Sequence, residues 1–479
     1  MITGDTIAAI ATAPGRGGVA VVRVSGPEAF QVAERLTGKA RSPETRESKE
    51  TRGENASREV KVVKVYASVS LASPVPPVID ECVVLAFRAP HSYTGEDVVE
   101  FQCHGGSVTP RRVLAACLAS GARLARRGEF TQRAFLAGKL DYDQAESVLD
   151  LVDAKTERAA DAALEGLAGR KQRELKALYE VALDLSAKIE HALDVDEGEL
   201  PEDFASTLKS EISDLQSRIS TAVRRAREGR LLRTGALVVL AGPPNAGKSS
   251  LMNALLETNR AIVSDVPGTT RDSIEEWLDL DGWPIRLVDT AGLRKTVDAI
   301  EAEGVRRSED LMAKADVILL LGNDGGEGLF PVCRSSAVGC PSPVFGLSSC
   351  VLSLHSKCDL GRGQGLNVSA KTGEGLEELK REIVKRLESR VGDKDEGESV
   401  SADEAALREA LAMLETGPSR GDKAESSGGR ETGVAEREND LVLLANAVRA
   451  VAERLGTSVG ATYSSDLLDN LFSRFCVGK

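Results

Sequence analysis

The chain has 479 residues, with 42% hydrophobic and 28% charged, an ordinary balance for a globular protein; the length corresponds to about three domains. Its formal net charge of -13, from 61 basic and 74 acidic residues, excludes a nucleic-acid coat over the whole surface and leaves only local basic faces. No apolar run approaches the ~20 residues that span a membrane, and the N-terminal residues show no basic leader pattern, so a cytoplasmic protein is expected.

Residues 1–140 predict a mixed α/β region. Thr6–Ala11 and Val19–Val24 are short strands around Pro14-Gly15-Arg16-Gly17-Gly18. Val60–Leu71 and Glu81–Phe87 are further strand candidates, and Val108–Leu118 reads as a helix. Arg41–Arg58 is charged and poor in apolar residues, which predicts a loop. From 143 to 232 the apolar period becomes helical, through Ala145, Val148, Leu149, Val152, Leu164, Leu167, Leu175, Leu178, Val181, Leu185 and Ile189. Pro201 breaks the pattern, and Phe204–Arg227 predicts another helix.

Residues 236–390 alternate strands and helices. Leu237–Ala241, Ile285–Asp289, Val317–Leu321 and Val351–His355 read as strands, and Ser249–Leu256, Ala302–Lys314 and Leu376–Leu387 as helices. That rhythm predicts a mostly parallel sheet. Residues 391–438 are low in complexity around one helix, Ala402–Leu414; Leu441–Leu455 and Ser465–Phe475 then predict helices. The expected organisation is an α+β N-terminal domain (1–140), an all-α domain (141–232 and 391–479), and a Ras-like P-loop α/β domain (233–390) inserted into it.

Arg111, Arg112, Arg123, Arg126, Arg127 and Arg133 form one basic cluster; Arg224, Arg225, Arg227, Arg230 and Arg233 form another. Each is either a solvated helix face or an RNA contact. The eight cysteines include no C-x-x-C pair and predict free thiols, and the four histidines form no metal-spaced group.

Gly242-Pro243-Pro244-Asn245-Ala246-Gly247-Lys248-Ser249 reads G-x-x-x-x-G-K-S between an apolar strand and a helix start. In that setting backbone amides cradle phosphates, Lys248 neutralises the β/γ oxygens, and the Ser249 hydroxyl ligates Mg2+. Gly268-Thr269-Thr270-Arg271-Asp272 offers Thr270 as the second Mg2+ ligand. Asp289-Thr290-Ala291-Gly292 offers Asp289 to the metal through water and the Gly292 amide to the γ-phosphate. Ser356-Lys357-Cys358-Asp359 approximates the guanine-reading N-K-x-D, and Ser369-Ala370-Lys371 the last base-contacting loop. The order of these segments favours GTP over ATP. Leu293 stands where small GTPases carry the water-orienting Gln, so another group must do that work. Asn245 is either a turn residue or a ligand for a monovalent cation beside the β/γ bridge.

Gly242–Ser250, Gly268–Asp272, Asp289–Arg294 and the terminal Phe475-Cys476-Val477-Gly478-Lys479 together resemble the tRNA-modification GTPase family known as MnmE or TrmE. Asp5-Thr6-Ile7, Pro14–Gly18, Gly95–Glu100, His104-Gly105-Gly106, Gly128–Thr131, Arg133–Leu136, Lys139-Leu140-Asp141 and Gln144-Ala145-Glu146 are similar to the same family, so the resemblance covers nearly the whole chain. It implies an N-terminal domain that binds a one-carbon tetrahydrofolate, in the formyl or methylene form, and forms the homodimer. It also implies a flavoprotein partner of the GidA (MnmG) family in a heterotetramer, and a tRNA substrate. The implied activity adds a carboxymethylaminomethyl group to C5 of the wobble uridine of certain tRNAs, with potassium-dependent GTP hydrolysis.

By motif, the resemblance gives Arg23, Glu100, Lys139 and Lys479 to the folate. It gives Asn245, Ser264, Val266 and Thr269 to potassium, and Ser249 and Thr270 to Mg2+. The nucleotide set is Asn245, Ala246, Gly247, Lys248, Ser249 and Ser250 on the phosphate loop; Ser264, Asp265, Val266, Pro267, Gly268, Thr269 and Thr270 beyond it; Asp289, Thr290, Ala291 and Gly292; and Lys357, Asp359, Ser369, Ala370 and Lys371 around the base. Lys248 and Glu301 are the implied catalytic pair, Glu301 positioning the attacking water. Cys476 is either a catalytic thiol or, with no neighbouring base identifiable in the sequence, a packing or folate-site residue.

The chain also departs from the family pattern. Ser356 replaces the Asn of N-K-x-D, which predicts weaker GTP binding with guanine preference kept through Asp359. Cys103 stands where the family has Gly, and Gly322–Ser349 is rich in Gly, Pro, Ser and Cys where a helix is expected. The alternatives are a stand-alone RNA- or ribosome-associated GTPase, a P-loop kinase, and a hydrolysis-impaired scaffold.

Overall fold

The computed structural model describes residues 4–38, 58–66, 77–195, 200–201, 203–259, 275–289, 311–322, 351–392, 402–415, 432–459 and 472–478. Two compact units divide the chain, one of residues 1–149 with 462–479 and one of 150–461.

The first unit is built on a six-stranded sheet of order β3-β4-β5-β2-β1-β6. Its strands are β1 (Ile7–Ile10), β2 (Val19–Ser25), β3 (Arg58–Tyr66), β4 (Val78–Phe87), β5 (Val98–His104) and β6 (Arg123–Leu124). All neighbours are antiparallel except the pair β1–β6. Helices α1 (Ala29–Thr37) and α2 (Thr109–Ala119) share a core with the sheet, where Val22, Val24, Val99, Phe101, Val32 and Val113 are all fully buried. The alternation Val22, Val24 on β2 is the period of a half-buried strand. Cys103 continues this core: it is 2% exposed, and its thiol donates to the Ala20 carbonyl. The side chain at this departure from the family pattern is therefore absorbed by packing. Helices α3 (Glu129–Leu136) and α4 (Tyr142–Asp153) follow. Ala145 and Leu149 of α4 form a small core with Phe472 and Phe475 from the end of the chain.

The second unit opens with α5 (Glu157–Leu167), α6 (Arg170–Asp194) and α7 (Phe204–Thr234). Leu208, Ile212, Leu215 and Ile219 recur on one face of α7 and pack with α6, α10 (Ala402–Glu415) and α11 (Thr432–Val459). Helix α7 runs past the predicted end at Arg227 because Leu231 and Leu232 are buried in the next core. It stops at Gly235, whose positive φ of 75° releases the chain into a second sheet.

That sheet has the order β12-β11-β10-β7-β9-β8, from β7 (Ala236–Ala241), β8 (Glu275–Leu280), β9 (Trp283–Asp289), β10 (Val317–Gly322), β11 (Val351–Ser356) and β12 (Leu366–Val368). Only β8 is antiparallel to its neighbour. This is the Ras-like order, with the phosphate-loop strand central. Val238 and Leu240 of β7 enter one core with α8 (Lys248–Asn259) and α9 (Leu376–Gly392); Leu237, Val239 and Ala241 enter the core on the opposite face. A strand buried on both faces explains its unbroken apolar run. The segments 41–57, 290–310, 323–350 and 460–471, with the expectations that fall on them, lie outside the described residues.

Candidate functional site

The loop from β7 to α8 is shaped by three left-handed positions: Gly242 (φ 146°), Asn245 (φ 63°) and Gly247 (φ 90°). A Cβ at Gly242 would collide with the Leu321 carbonyl, so only glycine lets this loop start against β10. Lys248 is 6% exposed, and its ammonium donates to the Gly242 and Pro243 carbonyls at 2.9 and 2.8 Å. The Ser249 hydroxyl donates to Asp289 Oδ2 at 2.6 Å. The parallel register of β7 with β9, Leu240 opposite Asp289, brings these two oxygens together. They are hard donors of the kind Mg2+ takes.

The base end is assembled by β11 and β12. Lys357 leaves β11 in a left-handed conformation, φ 59°, and its ammonium donates to the Asn245 carbonyl at 3.0 Å. Ser369 is fully buried; its hydroxyl donates to Asp359 Oδ1 at 2.8 Å and accepts from the Thr372 amide at 3.3 Å. Asp359 is thereby oriented by the loop that also contains Ala370 and Lys371. Ser356 is 6% exposed at the end of β11. The neighbouring Lys357–Asn245 bond tethers this strand end to the phosphate loop.

In the first unit, Arg23 of β2 and Glu100 of β5 are direct cross-strand partners, with Nε to Oε1 at 2.7 Å. The guanidinium carbon lies 5.4 Å from the Tyr93 ring centre and 5.6 Å from that of Phe130. Burial pushes the Tyr93 hydroxyl pKa up, and that hydroxyl is bonded to Thr131 Oγ1 at 2.9 Å. The Lys139 ammonium donates to the Pro90 and Ser92 carbonyls at 2.7 and 2.8 Å, so it fixes the loop that carries Tyr93.

Sequence reasoning missed the network beneath this site. Glu129 is fully buried, and Arg133 is 2% exposed. Arg133 bonds Asp5 Oδ1 at 2.8 Å, Glu96 Oε2 at 2.9 Å and Glu129 Oε1 at 3.2 Å, while Arg123 bonds Asp5 and Glu129 at 2.6 Å each. Burial raises the Glu129 pKa, but hydrogen bonds from Arg123, the Arg126 amide and Arg133 outweigh it and hold the carboxyl at about 2. The signal was present as the motif residues Asp5, Glu96, Glu129 and Arg133, but their mutual pairing was not.

The end of the chain docks on the same unit. Val477 bridges Arg127, and the Gly128 amide donates to the Cys476 carbonyl at 3.4 Å. Gly478 packs on Ile10 and Ala11 so closely that a Cβ would collide with the Ile10 carbonyl. Ile10 follows Ala9, the cross-strand partner of Arg23. Cys476 is exposed.

The second arginine cluster is largely spent on ion pairs. Arg225 reaches Glu174 at 2.7 Å, Arg227 and Arg230 flank the fully buried Glu404 at 3.6 and 4.0 Å, and Arg233 lies 3.9 Å from Asp150. Of the predicted site residues, Ser264, Asp265, Val266, Pro267, Gly268, Thr269, Thr270, Thr290, Ala291, Gly292, Glu301 and Lys479 lie outside the described residues. Among the described residues no group of three or more His, Cys, Asp or Glu side chains could hold a metal, and no helix is long and apolar enough to cross a membrane.

A family model described as the N-terminus of the GTP-binding protein TrmE matches residues 6–139, and one described as the MnmE helical domain matches residues 143–476. The curated tRNA modification GTPase MnmE of Symbiobacterium thermophilum is 39% identical, covering 99% of this chain and 99% of its own. The protein of that name from Heliobacterium modesticaldum is 38% identical over 100% of both chains. Among solved structures, the G domain of the T. maritima FeoB iron transporter is 26% identical, covering 32% of this chain and 98% of its own at a TM-score of 0.21. Two family models that between them span almost the whole sequence, and relatives matched from end to end, lead to one assignment: this chain belongs to the MnmE (TrmE) family.

Proposed function

We propose that this chain is a GTP-hydrolysing tRNA-modification enzyme acting in the cytoplasm. With a flavoprotein of the GidA (MnmG) family, it adds a carboxymethylaminomethyl group to C5 of the wobble uridine of certain tRNAs. The observation that carries the GTPase reading is the Ser249–Asp289 contact beside Lys248, with Lys357 joining the base loop to the phosphate loop. Ser249 and Asp289, with Thr270, fit Mg2+, which when bound supplies positive charge at the β/γ oxygens. Lys248 lies within the loop to hold the phosphates, and Asp359, set by Ser369, accepts from the guanine edge. Glu301 is our choice for the carboxylate that orients the attacking water, because Leu293 cannot. Asn245, with Ser264, Val266 and Thr269, is the proposed potassium site.

The folate proposal rests on Arg23 and Glu100. An ion pair beside two aromatic faces fits a flat, hydrogen-bonding heterocycle. The bound folate supplies the one-carbon unit. Lys139 holds the Tyr93 loop, and Lys479 follows the docked Gly478. Homodimerisation through the N-terminal domain, and the three-part division at 1–140, 141–232 with 391–479, and 233–390, belong to the same proposal.

Two measurements on the full chain test it. GTP turnover in potassium buffer should exceed that in sodium buffer; equal rates refute the potassium site. Formyl-tetrahydrofolate should bind the unsubstituted protein and lose at least about tenfold in affinity on Arg23→Ala. A protein that hydrolyses GTP but binds no folate would instead be a stand-alone GTPase.

A further inference from the structure

Helix α5 grips the turn of the β8–β9 hairpin. Asp281 and Gly282 form a two-residue turn with both φ values positive, 50° and 83°, the geometry that joins tightly twisted strands. Thr156, the N-cap of α5, donates its hydroxyl to the Gly282 carbonyl at 2.8 Å while accepting from the Ala159 amide at 3.2 Å. A Cβ at Gly282 would stand 3.0 Å from Arg158 Cβ, so the turn fits α5 only as glycine. The Arg158 guanidinium carbon lies 4.1 Å from the ring centre of Trp283, which is 1% exposed. The same guanidinium pairs with Glu228 of α7.

Both strands of this hairpin reach the edge that carries Asp289. β9 ends at Asp289, bonded to Ser249. Glu275, at the start of β8, pairs with Val288 beside Asp289. Helix α7, which holds the other side of Arg158 through Glu228, runs through Gly235 into β7 and its phosphate loop. Arg158 therefore ties two routes to the site: the hairpin by stacking and α7 by charge.

We propose that Thr156 and Arg158 are positioning residues for GTP hydrolysis. They hold the hairpin turn against α5 and α7, which fixes β9 beside β7 and so sets Asp289 against Ser249. The helical region thereby acts on the rate at which bound nucleotide reacts, from the opposite end of β9. A misplacement of about 1 Å, caused far from the chemistry, can cost about a hundredfold in rate. This inference rests on the GTPase reading of the β7–α8 loop.

The test is steady-state GTP turnover and Mg2+ half-saturation in the full chain carrying Arg158→Ala or Thr156→Val. Arg158→Lys serves as the conservative variant, and Arg449→Ala, which removes the surface pair with Glu190, as the control. The expected result is a kcat about fivefold lower in the first two, KM for GTP within about twofold, and a raised Mg2+ requirement. Arg158→Lys should recover at least half the loss, and Arg449→Ala should leave kcat unchanged. Unchanged kcat in a folded Arg158→Ala or Thr156→Val protein would overturn the proposal; should Arg158→Ala not fold, Thr156→Val decides alone. An unsubstituted chain without GTP turnover would overturn the GTPase reading and the clamp together, and so is distinct from failure of the clamp.

Discussion

The Lys357 ammonium donates to the Asn245 carbonyl at 3.0 Å, joining the loop after β11 to the loop between β7 and α8. Both residues sit in the left-handed region, at φ 59° and 63°. Such positions are uncommon for side chains other than glycine and persist where the surrounding structure requires them. Here one strained position holds the other.

Lys357→Ala should therefore weaken binding of a fluorescent GDP by about tenfold, the worth of a charge-assisted hydrogen bond. Ser356→Asn should tighten it several-fold by restoring the longer amide at the end of β11. Titration of both variants checks this; an unchanged Lys357→Ala affinity would refute the tether, and an unchanged Ser356→Asn affinity would mean that serine costs nothing at the base end.

Ser249→Ala deletes the hydroxyl, and Asp289→Asn the negative charge, of a pair whose oxygens lie 2.6 Å apart. Each should lower GTP turnover by about a hundredfold, with the loss partly recovered at high Mg2+. A turnover series in rising magnesium reads both quantities.

Asn245→Gly keeps the positive φ at no steric cost and deletes only the amide side chain. Potassium stimulation of turnover should vanish in this variant, while the basal sodium rate stays within about twofold. Persisting stimulation would place the cation elsewhere.

The Glu129 network gives the first unit a pH dependence. Its folded pKa of about 2 lies below the 4.5 of an ordinary glutamate, so its stabilisation is complete above 4.5 and is lost as pH falls toward 2. The shift corresponds to about 3 kcal/mol. Urea unfolding between pH 6 and pH 2.5 should show this loss, and Glu129→Gln should start less stable and change less over the same window.

Much of the fold was legible because burial writes itself into composition. The unbroken apolar run of β7 announced a central strand, and the leucine spacing of α6 announced its buried face. Strand β8 was not legible: Glu275-Glu276-Trp277-Leu278-Asp279-Leu280 is half charged, as suits an edge strand with one wet face. The described part of the candidate nucleotide site was readable since its residues stand at strand and loop ends in a fixed order. The Arg133–Asp5 pair was not, because its members are 128 residues apart and only the folded sheet brings them together. The arginines of α7 looked like a surface for the same reason: their partners Glu174 and Glu404 lie on other helices.

The docking of Gly478 on Ile10 and Ala11 makes the first unit discontinuous in sequence. A chain made from its N-terminus can form the β1–β2 sheet early, as domains generally do. The seats that Phe475 and Gly478 fill wait until residues 150–461 have also been made. Completion of the first unit is thus separated from its start by the synthesis of the whole second unit.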